Sequence, residues 1–278
     1  MNVSRRARSV PQPRGGYAPI SEFNLVSLTD EEELFPEENI HSSLVGLVVD
    51  NLTRLNAGVD RKDVFSIAVR GAKVAEKAGY TGSFEKAVYY IMKITGSDDS
   101  SIINACKLAT YEVWSRSAYH GDGWKKPEEI NPDKQTIHNI QIMLKRTAWW
   151  LDMFKPLVKT GFTFQPAENA TKEHFMKMMV SREGSFGGYT PTVSSGDGDY
   201  LTEGKMWDMK VSKNKPTSKD TLQILMYWIM GQHSGQEIYN GISSIGIFNP
   251  RRFEIYALPT EDIDSAIIQA VEKDVICY

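Results

Sequence analysis

The sequence predicts an α+β protein, with an all-helical N-terminal part followed by a mixed central sheet flanked by helices. Apolar residues recur at helical spacing between residues 40 and 121, whereas strand signals begin only at Phe162. After that point helices and strands alternate, and two pairs of short apolar runs read as hairpins. We therefore expect helices first and a sheet in the C-terminal half.

Composition narrows the classes of protein to which the chain can belong. Its 278 residues suffice for one large domain or two small ones, and the net charge of −3 gives no global attraction to nucleic acid. Cys106 and Cys277 stand alone, which excludes a disulfide framework and a cysteine zinc site. No apolar run is long enough to span a membrane, and no signal-peptide core is present. We expect a cytoplasmic protein without membrane contact.

The first 39 residues are predicted to form a flexible tail. Four arginines lie among Pro, Ser and Gly before residue 22, and an acidic run comes after them, with Glu31 to Glu33 at its centre. This composition is typical of a disordered chain end. An arm that contacts nucleic acid is the alternative interpretation.

Residues 40–130 are predicted to form a helical domain. Apolar faces indicate four helices, over residues 44–55, 60–79, 84–96 and 102–121. A loop from His120 to Pro127 separates these helices from the C-terminal half of the chain. The domain shows no convergent set of titratable residues, so its predicted use is contact with a protein partner or with a second copy of the chain.

Residues 131–278 are predicted to form the mixed domain. It begins with a long helix, from about Asp133 to Lys155, that ends at Pro156. The remaining predicted elements are a helix over 171–180, strands over 189–194, 198–202 and 205–212, a helix over 220–230, strands over 244–248 and 252–258, and a last helix capped by Thr260.

The chemistry of the chain concentrates in the hairpin whose turn is Glu203-Gly204. A two-residue turn there places Asp199 directly opposite Asp208, so that both side chains point to one face with Cβ atoms roughly 5 Å apart. The period of two puts Lys210 on that face and leaves Trp207, Met209 and Val211 on the other, for the core.

Two facing carboxylates repel each other unless a cation lies between them. Mg²⁺ or Mn²⁺ suits such a site, because these ions prefer carboxylate, carbonyl and water oxygens. Asp199, Asp208 and the backbone carbonyl of Met209 are therefore candidate ligands, with Lys210 beside them to position a water or to neutralise developing charge.

This pattern resembles the PD-(D/E)XK nuclease superfamily, in its RecB-like and lambda-exonuclease-like branch. Asp199 matches the first acid of the family, Asp208 and Lys210 match the D-x-K pair, and Gln223 with Tyr227 matches the Gln-x-x-x-Tyr helix that supports the site. The resemblance implies a restriction-endonuclease-like core from about residue 165 and Mg²⁺- or Mn²⁺-dependent hydrolysis of phosphodiester bonds. DNA is the implied substrate, and RNA is not excluded. Repair, recombination, phage DNA processing and defence are all compatible settings.

The sequence also departs from the family pattern. Gly198 stands where the family often has Pro before the first acid, and Asp197 competes for that role because it lies on the same face. The resemblance further implies an upstream Glu from a helix. Glu173 is the candidate, with Glu168 and Glu183 as rivals.

Lysines on and just after the hairpin form a local basic cluster. Lys213, Lys215 and Lys219 could reach phosphates that flank the scissile bond, although an ordinary solvated connection would carry the same residues. Two rival functions stay open. One is a catalytically inactive nuclease-fold module that binds nucleic acid or a protein partner, and the other is an interaction protein in which the helical half acts and the hairpin is structural.

Overall fold

A computed structural model describes residues 1–116, 124–166 and 171–278. The chain divides into two compact units, of which one comprises Met1–Leu28 with Pro156–Tyr278 and the other Thr29–Lys155. The mixed α+β class is confirmed, since a five-stranded mixed sheet is flanked by helices. None of the helices in the described residues is long and apolar enough to cross a membrane.

The division of the chain differs from the expected one at both boundaries. Residues 1–28 belong to the sheet unit rather than to a flexible tail, because Val3 and Ala7 are buried in its core. They contribute the helix α1 (Val3–Ser9) and the strand β1 (Asn24–Ser27), so the N-terminal part is not wholly helical. The long helix expected to open the mixed domain instead belongs to the helical unit.

The unit Thr29–Lys155 is built from helices in its described residues. Its elements are α2 (Ser42–Asn56), α3 (Arg61–Val64), α4 (Ser66–Lys77), α5 (Ser83–Lys93), α6 (Asp99–Ala109), α7 (Glu112–Arg116), a 3-10 turn (Pro127–Glu129) and α8 (Lys134–Phe154). Helix α8 begins where the sequence predicts a long helix, and Asp133 caps it, because its carboxylate accepts the N–H of Thr136 at 2.8 Å. The predicted boundary loop at His120 lies partly outside the described residues.

The sheet unit holds the strands and the other helices of the described residues. Its remaining elements are α9 (Lys172–Ser181), β2 (Tyr200–Thr202), β3 (Lys205–Met209), α10 (Ser218–His233), β4 (Ser244–Asn249), β5 (Glu254–Pro259), α11 (Ser265–Ala270) and a π-helical turn (Val271–Ile276), with 3-10 turns at Ile20–Glu22, Glu237–Tyr239 and Thr260–Asp262. The strand order is β1-β5-β4-β3-β2, in which β3 and β4 are parallel and all other neighbours antiparallel. Two of these strands, β3 and its neighbour β2, carry the candidate site.

The strand predicted over 205–212 ends at Met209, and three further predicted elements of this unit differ from the structure. Residues 189–194 do not form a strand. Tyr189 instead pairs with Phe186 in an isolated β-bridge, and its hydroxyl donates to the Gly196 carbonyl. Helix α10 continues past Gly231, whose missing side chain leaves room for the Tyr239 ring. Thr260 starts a 3-10 turn, and α11 is capped by Asp264.

Helix α10 packs on the sheet through β3 and β4. Its apolar residues on that side are fully buried, as the predicted helix face requires. They are Leu222, Leu225, Met226 and Ile229. Because α10 packs on both strands, polar side chains of α10 and polar side chains of β3 meet in the interior.

Candidate active site

The hairpin between β2 and β3 has the predicted register. Tyr200 pairs with Trp207 and Thr202 with Lys205 around the turn at Glu203-Gly204, where Gly204 has a φ of +69°. The residue before Tyr200 is Asp199, and the residue after Trp207 is Asp208. The sequence thus brings the two acids to adjacent strands at the same height.

The two faces of β3 differ from the expectation in one respect. Trp207 is buried as predicted, but Met209 and Val211 are only half-buried. Met206, on the same face as Asp208, belongs to the main hydrophobic core with Leu222. The candidate site therefore lies on the core side of the strand, under helix α10, rather than on an open face.

Asp208 is the most deeply buried acid of the site, with 2% of its side chain exposed. Burial penalises the carboxylate and raises the pKa of Asp208 to about 7, and the negative charge of Asp199 acts in the same direction. Lys210 opposes this shift but does not cancel it. A carboxyl group whose pKa is shifted close to neutral pH in this way is typical of functional sites.

Lys210 lies beside Asp208 as the predicted pairing requires. Its ammonium Nζ is 3.0 Å from Oδ2 of Asp208 and donates to Oε1 of Gln223 at 3.1 Å. Burial opposes the charge on Lys210, yet the carboxylates of Asp208 and Asp199 outweigh it and raise the pKa of the ammonium. The lysine is therefore a fixed cation at physiological pH.

Gln223 connects the strand to helix α10. Its amide Nε2 donates to Oδ1 of Asp208 at 3.4 Å and to the Tyr227 hydroxyl at 2.9 Å, while its Oε1 accepts from Lys210. Tyr227 lies four residues later on the same helix face and is buried against Phe164, with ring centroids 5.5 Å apart. The amide therefore fixes the orientations of the acid and the lysine together.

Asp199 completes the set from the strand opposite. Its Oδ2 accepts the backbone N–H of Met209 at 2.8 Å, and the residue is half-buried. This bond holds the carboxylate across the hairpin, near enough for its charge to raise the pKa of Asp208. All five predicted residues, from Asp199 to Tyr227, thus belong to one connected cluster.

The other predicted acids stand apart from this cluster. Glu173 on α9, Glu183 and Asp197 are all exposed. Glu168 lies outside the described residues. Across residues 1–116, 124–166 and 171–278, no group of three or more His, Cys, Asp or Glu side chains converges closely enough to hold a metal ion.

The donor set nevertheless fits a hard divalent cation. Mg²⁺ is commonly held by one or two carboxylates, with water and substrate phosphates completing its octahedron. Asp199 and Asp208 supply that number, and the buried Oδ2 of Asp208 has the Lys210 ammonium as its neighbour at 3.0 Å. These two side chains would hold the ion, with the Met209 carbonyl as the remaining protein candidate.

The lysines after β3 occupy a loop that is tied to the β4–β5 hairpin. Asn249 donates to the Ser212 carbonyl at 2.8 Å, and Arg252 donates to the Lys213 carbonyl at 3.0 Å. Lys213, Lys215 and Lys219 are exposed. Their backbone is therefore anchored close after Lys210, and their side chains reach the solvent.

One polar residue near the site was not predicted from the sequence. Ser4, on α1, lies beside the hydroxyl of Tyr227, whose pKa is raised mainly by burial. Only the spacing of Val3 and Ala7, which places two apolar residues on one side of a helical turn, could have indicated that this segment folds.

No protein-family model, no curated protein and no solved structure matches this chain.

Proposed function

We propose that the protein is a metal-dependent nuclease that hydrolyses phosphodiester bonds, most simply in DNA. The observation that carries this proposal is the buried Asp208, Lys210 and Gln223 network with Asp199 beside it. A buried acid whose pKa is raised by burial and by a second acid, with a fixed cation beside it, is a candidate functional site. The restriction-endonuclease-like core and the family resemblance belong to the same proposal.

A bound Mg²⁺ or Mn²⁺ would supply an activated water and stabilise negative charge on the phosphate. The residues of the chain have separate parts in this chemistry. Asp199 and Asp208 bind the cation, Lys210 offers a fixed positive charge to the scissile phosphate, and Gln223 keeps the lysine directed at the site. Tyr227 in turn orients Gln223 and excludes water from behind it.

An inactive nuclease-fold module that binds nucleic acid or a protein partner is the second candidate. The observation that favours it is the direct contact between Lys210 and Asp208, because this ion pair neutralises the buried carboxylate without a metal ion. Turnover separates the two candidates.

The decisive experiment is a cleavage assay on linear duplex, circular duplex, single-stranded DNA and RNA, with Mg²⁺ or Mn²⁺ and with EDTA. The wild type is compared with the Asp208→Ala and Lys210→Ala variants. We expect divalent-dependent cleavage of at least one substrate by the wild type and a loss of roughly 100-fold or more in each variant. If the variants cleave as fast as the wild type, the assigned site is wrong. If the wild type cleaves none of them but still binds nucleic acid, the module interpretation is correct.

A further inference from the structure

The first sixteen residues lie along helix α10, next to the candidate site. Helix α1 packs on α10, with Ser4 beside Tyr227. Further along, Gly16 lies against Ser218, at the first turn of α10. From Ser218 to Tyr227 the helix rises about 14 Å, so the N-terminal segment runs along α10 past the turn that carries Gln223.

This segment is anchored at both ends. Arg6 donates to the carbonyls of Val275 at 2.7 Å and Asp274 at 2.9 Å, and Val3 donates to the Ser195 carbonyl at 3.0 Å. These bonds fix α1 against the rest of the sheet unit.

At the other end, Gly16 has a φ of +97°, and a Cβ atom there would lie 2.7 Å from Cβ of Ser218. Only glycine permits such a close approach of the segment to α10. The segment therefore has a definite position relative to the candidate site.

The anchored segment displays three arginines toward solvent. Arg5 and Arg8 are exposed and, three residues apart, share one side of α1, while Arg14 is exposed shortly before Gly16. No carboxylate in the described part of the chain lies within ion-pair distance of these three guanidinium groups. Lys219, which directly follows Ser218 on α10, is exposed as well.

We propose that Arg5, Arg8, Arg14 and Lys219 form a basic strip that binds the phosphate backbone of the nucleic acid that the site cleaves. This basic strip rests on the proposed function and adds to it a substrate contact on a second segment of the chain. Arginine and lysine side chains neutralise backbone phosphates, and each strand of a duplex carries one phosphate charge per about 3.4 Å of helix axis. Backbone contacts of this kind fix the position of the substrate without reading its sequence.

The test is a binding titration that does not depend on cleavage. Fluorescence anisotropy of labelled duplex and single-stranded DNA is measured in EDTA, over about 50 to 200 mM salt, for the full-length wild type and the variant R5Q/R8Q. We expect the variant to bind roughly fivefold or more weakly and its log–log salt slope to fall by about 2, one for each lost phosphate contact. Circular dichroism checks that the fold is unchanged.

The matched control is K159Q/K205Q, which removes the same charge from positions on neither the N-terminal segment nor α10. We expect its affinity to stay within about twofold of the wild type. Equal affinity and slope in wild type and R5Q/R8Q would overturn the basic strip while leaving cleavage and the proposed function intact. Equal losses of affinity in R5Q/R8Q and K159Q/K205Q would show that only net charge matters, and this result would also overturn the basic strip. If the wild type binds no DNA in EDTA, the basic strip is also overturned. The proposed function is then tested by the cleavage assay alone.

Discussion

At the scale of single residues, Asp208 is a costly residue to bury in the sheet unit. A carboxylate with 2% of its side chain exposed is costly to ionise, and the fold supplies it with one ammonium, one amide and a neighbouring acid that repels it. An isolated structural ion pair would be easier to satisfy without Asp199. The arrangement makes sense if a divalent cation joins the two carboxylates when the site is at work.

The choice between the two possible first acids leads to a matched pair of variants. Asp199 is bonded across the hairpin to Met209, whereas Asp197 is exposed. We expect Asp199→Asn to lower the cleavage rate roughly 100-fold or more, because a cation ligand is lost, and Asp197→Asn to stay within about threefold of the wild type. Single-turnover cleavage under identical Mg²⁺ concentrations measures both. A larger loss in Asp197→Asn would transfer the role to that residue.

The raised pKa of Asp208 predicts how cation binding depends on pH. Below about pH 7 the carboxyl group is mostly protonated, and a cation must displace that proton to bind. We expect the affinity for Mn²⁺ to rise roughly tenfold per pH unit up to about pH 7 and to level off above it. Isothermal titration calorimetry between about pH 5 and pH 8.5 measures the profile. A flat profile would mean that the carboxylate is already ionised at the acid end of this range.

At the scale of elements, the site depends on how closely β4 approaches β3. Gly246 pairs with Trp207, and a Cβ atom at Gly246 would lie 2.3 Å from the Trp207 ring and 3.0 Å from the Tyr256 carbonyl. The parallel pairing of the two strands therefore requires glycine at this position. The residue after Trp207 is Asp208, so the same contact sets the height of the acid.

This contact predicts the effect of adding one methyl group. We expect Gly246→Ala to destabilise the protein by about 1 to 3 kcal/mol through overpacking. Gly241→Ala is the control, because a Cβ atom there would meet nothing within 4 Å. Thermal unfolding of both variants measures the difference. Equal melting temperatures would show that the strands can separate at this point without cost.

The elements that sequence reasoning predicted well are those with local signals. The turn at Glu203-Gly204 and the alternation around it fix the β2–β3 register. Gln223 and Tyr227 are four residues apart, so they lie on one face of any helix that contains both. Strand β1 has four exposed residues and gains its partner, β5, only from far along the chain. Helix α1 reads as a basic tail, because its stabilising contacts lie with α10 and the C-terminal turn.

At the scale of the whole molecule, the sheet unit is formed by two separate parts of the chain, the N-terminal residues and the C-terminal half. Residues 1–28 supply both a helix on α10 and an edge strand of the sheet, and the helical unit is inserted between them and residue 156. With a net charge of −3, any affinity for nucleic acid must come from local cations. The basic strip and the loop lysines Lys213 and Lys215 together supply the cations that we expect to carry it.

This distribution of charge predicts the salt dependence of the whole protein. If all of these cations contact phosphates, the logarithm of the affinity for duplex DNA should fall with the logarithm of salt concentration with a slope of roughly −5. Anisotropy titrations at several salt concentrations in EDTA give the slope for the wild type. A slope shallower than about −2 would show that these cations do not carry the binding.

The most direct test of the central claim, that Asp199 and Asp208 hold a divalent cation beside Lys210, is anomalous scattering from crystals grown with Mn²⁺. We expect one strong peak between the two carboxylates, within about 2.0 to 2.3 Å of an oxygen of each. The Asp208→Ala variant, crystallised in the same way, should lack that peak. A site between Asp199 and Asp208 that stays empty at millimolar Mn²⁺ while the ion binds elsewhere would contradict the account.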